Sequence, residues 1–168
     1  GLELRFHAAS DWDKHPERLL KCQADIAQGN LILCTMLFME QHVQPIRQAL
    51  QARRDDCDAM VCCMSAPEIM QLTRMGRFSM EGEASGIAGL LKRLRGKGSA
   101  NKSVGANQLK MLRRLPRLLR FIPGTAQDVR AYFLVLQYWL AGSEPNLERL
   151  MQLLIHRYAA DDRSNLRE

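Results

Sequence analysis

Aromatic side chains are scarce in this 168-residue sequence, at 6% of positions, and acidic ones are missing from one long stretch. Between Lys92 and Gln127 there are ten lysines and arginines and not a single Asp or Glu. A single-stranded nucleic-acid groove adds stacking aromatics to such a basic surface. Phe121 is the only aromatic in the segment, so its composition favours a solvated basic face or a docking face for an acidic partner over nucleic acid. No apolar run approaches the ~20 residues of a membrane span, and no signal-peptide pattern opens the sequence. The five cysteines are odd in number and sit mostly within apolar runs, which favours buried thiols over the paired framework of a small secreted domain.

Catalytic and metal signatures are equally thin. No paired C-x-x-C arrangement exists, adjacent Cys62 and Cys63 point to opposite faces of a strand, and the four histidines are scattered. The stretch from Gly89 to Gly96-Lys97 has six residues between its glycines and Gly98 after the lysine. A phosphate-binding loop needs four, and a hydroxyl next, so that amides and hydroxyl meet phosphate and magnesium. No Ser-His-Asp set is evident, and Asp11/Asp13, Asp55/Asp56 and Asp161/Asp162 read as polar turns.

What is present is a globular composition, 46% hydrophobic and 25% charged, of about one domain's length. Net charge is +6, but outside Lys92–Gln127 the balance is −4, so the basicity belongs to one segment. Residues 2–8 alternate apolar and polar, which predicts a half-buried or edge strand. Pro16 opens a helix that Gly29-Asn30 stops. The continuous apolar runs 31–37 and 59–64 suit strands buried on both faces. A helix from about His42 to Arg54 lies between them, and Ser65-Ala-Pro-Glu68 reads as a capping box starting a third helix to Gly76. Strand–helix alternation of this kind predicts a parallel sheet.

The second half reads as helical. A short helix over 86–94 precedes a Gly/Ser/Lys-rich linker expected to be poorly ordered near 96–106. An amphipathic basic helix follows over 108–121, kinked by Pro116. Pro123-Gly124 then breaks the chain, and Thr125 and Asp128 are placed to cap the next helix. Val129, Tyr132, Phe133, Leu136, Trp139 and Leu140 share a face, Gly142 gives a left-handed stop, and a last helix carries Leu147, Leu150, Met151, Leu154 and Tyr158. An aromatic stripe of this kind reads as core rather than as a macrocycle site. Domain organisation is expected as an α/β layer over 1–78, a basic linker over 79–106, a helical hairpin region over 107–160 packed on the same domain, and a tail over 161–168.

The best candidates for a ligand contact are Met39, Glu40, Gln41 and His42, just past the C-terminal end of a buried strand, where α/β proteins place ligands. A helix start with a packed histidine explains the same residues structurally. Ser65, at the end of the next strand, shares that edge.

Four stretches, LCTMLFMEQHVQPI (33–46), RRDDCDAMVCCMSAPEIMQLTRMGRFSM (53–80), LLKRLRG (90–96) and FIPGTAQDVRAYFLVLQYWLAGSEPN (121–146), resemble blocks of the large H subunit family of magnesium chelatase, in the same order. The resemblance implies a part, expected to be N-terminal, of a longer porphyrin-binding subunit of chlorophyll and bacteriochlorophyll synthesis. It implies a strand and helix before Gly1, and an ATP-hydrolysing motor in two separate ATPase-type subunits. Mg2+, ATP and protoporphyrin IX belong to the whole complex, and none is assigned to this segment. The implied partners are those subunits, protoporphyrin IX and the remaining domains of the same polypeptide, in bacterial cytoplasm or plastid stroma. A cobalt chelatase large subunit is the related alternative. The expected fold is thus α/β: a small parallel sheet of about three strands, Rossmann- or flavodoxin-like and incomplete at its N-terminus, followed by an all-helical C-terminal half. The expected role is scaffold or regulatory, with no catalytic residue and no metal ligand here, and direct porphyrin contact through 39–42 or the aromatic helices as the alternative.

Overall fold

The structure, a computed structural model, describes residues 2–81 and 124–160. The expected linker, the short helix over 86–94, the kinked basic helix over 108–121 and the tail lie outside them.

Two parallel strands form the centre. β1 (Leu31–Thr35) pairs in register with β2 (Ala59–Cys63), from Leu31 opposite Ala59 to Thr35 opposite Cys63. All five residues of β2 are buried, because each face of the strand meets a helical layer; that is why its sequence is apolar throughout instead of alternating. On one face lie α1 (Pro16–Gln28) and α2 (Glu40–Arg53), and Cys22, Ile26, Val43, Ile46 and Leu50 enclose Ile32, Cys34, Met60 and Cys62. On the other face Ala59, Val61 and Cys63 meet the helical hairpin C-terminal to the sheet. That hairpin is α4 (Thr125–Ala141) and α5 (Glu144–Tyr158), which contribute Val129, Tyr132, Phe133, Val135, Leu150 and Leu154. Gly142 turns the chain between the two helices with φ +63°, as its position in the sequence predicts. The fold is α/β, in three layers.

The expectation of three parallel strands is corrected in two places. Residues 2–8 form no strand. Leu2, Leu4 and Phe6 stay exposed, while Arg5 and His7 reach Asp25 on α1, His7 Nε2 at 2.9 Å, so the polar half of the alternation finds a helix instead of a ladder. The third helix is a single turn, α3 (Pro67–Met70). Thr73 ends it by turning its hydroxyl to β2, where Oγ1 accepts from Cys62 N–H (3.1 Å) and donates to Cys62 C=O (3.0 Å). The chain then closes a small antiparallel hairpin, β3 (Arg74–Met75) and β4 (Phe78–Ser79), giving the mixed order β1-β2-β3-β4.

Two arginines bind that hairpin to the loop before β2. Arg54, 9% exposed, donates to Leu72 C=O and to Ser79 Oγ (2.7 Å). Arg74 donates to the carbonyls of Arg54 (2.8 Å) and Cys57.

Candidate functional site

Both parallel strands end in the same unusual way. Met36 follows β1 at φ +61° and Met64 follows β2 at φ +48°. A side chain in that region costs on the order of 1–2 kcal/mol each time, so both turns must be held by their surroundings. They hold each other: Met36 N–H donates to Met64 C=O at 3.0 Å. Ser65 completes the lock, accepting from Leu37 N–H (3.1 Å) and donating to Cys63 C=O (3.1 Å), and Ala66 N–H donates to Leu37 C=O at 2.7 Å. The capping role expected for Ser65 is therefore corrected. Ala66 is the N-cap of α3, and the serine hydroxyl is spent between the two strand ends.

The locked turns push an apolar rim outward. Met36, Phe38 and Met39 are each more than half exposed at the C-terminal edge of the sheet, beside the start of α2. Met39 is the N-cap of that helix and has no side-chain cap bond. Glu40 and Gln41 are exposed in its first turn, which puts a carboxylate at the positive helix end. His42 turns inward and meets buried Trp12 edge-on, with ring centroids 6.2 Å apart. Met39, Glu40, Gln41 and His42 thus sit together at one strand edge, with His42 in the packed arrangement and the other three open to solvent. Met36, Phe38 and Met64 belong to the same edge and escape sequence reasoning. Their signal is a repeated pattern, an apolar strand closing on Cys-Thr-Met and on Cys-Cys-Met, and it becomes meaningful only when the two runs pair in register.

The aromatic helix does not join this edge. Tyr132 and Phe133 are buried on the opposite face, ring centroids 5.9 Å apart, and Phe78 meets Tyr132 at 5.8 Å. Tyr138 and Trp139 pack partly buried against the same core. Burial raises the Tyr132 phenol above its ordinary value, and its hydroxyl donates to Cys62 C=O at 3.3 Å.

Asp128 is the second correction. Its expected role at the start of α4 gives way to a longer reach. Oδ2 accepts from Arg77 N–H (3.0 Å) in the β3–β4 turn, and Oδ1 accepts from Tyr158 Oη (3.0 Å), with Arg157 at 3.5 Å. Gly124, not Thr125, is the N-cap. Burial first, and the Asp128 carboxylate second, hold the Tyr158 phenol up. This carboxylate binds three elements together.

All five cysteines are free and buried. Burial pushes the Cys22 thiol up to about 11 and raises Cys57 and Cys63. Among the described residues no three His, Cys, Asp or Glu side chains are placed to hold a metal ion, and no helix is long and apolar enough to cross a membrane.

Residues 1–133 match the family model described as Domain of unknown function (DUF3479). Across 161 residues, 96% of the chain, it is 42% identical to the magnesium-chelatase H subunit of Cereibacter sphaeroides. It is 42% identical over 158 residues to the corresponding protein of Rhodobacter capsulatus. The chloroplastic ChlH subunit of magnesium chelatase from Oryza sativa subsp. indica is 35% identical over 139 residues, 80% of the chain. The chain spans only 14%, 13% and 10% of these relatives' lengths.

Proposed function

Since this chain belongs to the DUF3479 family, as a segment of the kind found in magnesium-chelatase H subunits, we propose that it is a scaffold or regulatory segment of such a protein. In this reading the larger protein holds protoporphyrin IX while Mg2+ is inserted at the expense of ATP hydrolysed by two partner subunits, in bacterial cytoplasm or plastid stroma. This segment gates the porphyrin cavity or docks the ATPase subunits and does no chelation itself. The observation that supports it is how the polar groups are used. Ser65, Thr73, Arg54, Arg74 and Asp128 all spend their hydrogen bonds tying one element to another.

One observation favours a second reading, direct contact with porphyrin. Met36, Phe38 and Met39 offer exposed apolar and polarisable surface at a strand edge of the type that binds ligands. Titration of the 168-residue chain with a water-soluble porphyrin, followed by Trp fluorescence and the porphyrin absorption band, separates the two. The scaffold reading expects a signal that never saturates from a protein shown folded by circular dichroism. Saturable one-to-one binding, weakened by Phe38→Ala, would replace it with the second reading.

A further inference from the structure

Cys34 and Cys62 are register partners on the two parallel strands. Both side chains enter the layer between the sheet and α1–α2, whereas Cys63 points to the other face. Strands in a sheet lie about 4.8 Å apart, inside the roughly 4.4–6.8 Å Cα separation that a disulfide spans without moving the backbone. The Cys34 side chain first, and burial second, hold the Cys62 thiol well above its ordinary range. Cys62 is fully buried, while Cys34, 8% exposed, lies on β1, the edge strand of the sheet among the described residues, two residues before exposed Met36. Cys34 is therefore the less deeply buried of the two partners.

We propose that Cys34 and Cys62 form an oxidisable dithiol that closes into a cross-strand disulfide when the protein meets a small peroxide. Hydrogen peroxide oxidises the Cys34 thiol to a sulfenic acid and is itself reduced, leaving one water. The Cys62 sulfur then attacks the Cys34 sulfur, the S–S bond forms, and the sulfenic oxygen leaves as a second water with the Cys62 proton. Two thiols are oxidised by one peroxide, and a dithiol reductant reverses the bond. The link falls two residues below both left-handed turns, so it fixes the separation of the Met36 and Met64 loops. Cys62–Cys63 is not a competing pair, because neighbours along a strand face opposite ways. Cys22 is the competing partner, since it approaches Cys34 from α1. This inference stands independently of the chelatase reading.

The test treats the folded 168-residue chain with millimolar hydrogen peroxide. Thiols are then trapped under denaturing conditions and the peptides mapped by mass spectrometry. The expected result is loss of two titratable thiols, a mass about two daltons lower, a Cys34–Cys62 linked peptide, and full reversal by dithiothreitol. Cys34→Ala abolishes the change and Cys22→Ala leaves it intact. An unchanged thiol count, a Cys22–Cys34 or intermolecular link, or Cys34 carried to sulfinic acid without a link would each overturn the proposal. The wild-type peptide map decides the matter even if a variant fails to fold.

Discussion

At the scale of single residues, Gly76 has little room to change. It lies at φ +56° in the β3–β4 turn, and a Cβ there would stand 2.8 Å from Asp128 Oδ2. Both the left-handed backbone and the carboxylate's close approach demand glycine. Gly76→Ala is expected to cost about 1–3 kcal/mol, because alanine either strains the turn or displaces Asp128 from Arg77 N–H and Tyr158. Equilibrium urea unfolding reads that cost directly. A midpoint equal to wild type would mean that the hairpin relaxes freely around the new methyl group. Gly76 is an easy stop signal to read from sequence, but its real constraint comes from Asp128, more than fifty positions along the chain, and no local pattern announces such a contact.

At the scale of elements, Thr73 decides where helix gives way to hairpin. Its hydroxyl continues the β2 ladder beyond two-residue β3 and satisfies the buried Cys62 N–H. Thr73→Val keeps the shape and removes the partner, leaving that donor unpaired. The expected loss is about 1–3 kcal/mol, seen as a lower urea midpoint with an unchanged slope. Tyr132→Phe should cost less, since Cys62 C=O still receives the Thr73 hydroxyl. Helical spacing alone carries Ile69, Leu72, Thr73 and Met75 onward to Gly76, and it predicts the long helix that the structure replaces. A buried donor on β2 outweighs local helical preference, because leaving it unpaired costs more than a turn of helix gains.

At the scale of the whole molecule, burial of acidic hydroxyls and thiols makes stability depend on alkaline pH. Cys22, at about 11, and Cys57, Cys62, Cys63, Tyr132 and Tyr158 all have folded-state values raised above their ordinary ones, chiefly through burial and, for Cys62, first through Cys34. For such groups the neutral form is favoured in the fold. Their contribution is complete below the unfolded-state value, about 9 for a thiol, and is lost as pH rises through the folded one. Unfolding free energy should therefore be flat from about pH 7 to 8.5 and fall steadily between about 9 and 11. Cys22→Ala should reduce the slope in that window. A stability that stays level to about pH 11 would mean that these groups titrate in the fold as they do in the unfolded chain.

The sequence by itself determined the buried strands, the long helices that flank them, and the turn at Gly142. These depend on apolar spacing, proline and glycine over a few residues, and such short-range physics acts the same wherever the segment finally packs. It also placed residues 39–42 between the end of a strand and the start of a helix, because that follows from strand followed by helix. Only the tertiary structure decided what each polar group there and elsewhere does. Ser65 locks two strand ends, Asp128 joins β3–β4 to α4 and α5, and the polar face of residues 2–8 rests on Asp25 of α1. A hydrogen-bonding or charged side chain takes whichever partner burial leaves without water, and that partner is known only once distant segments have met.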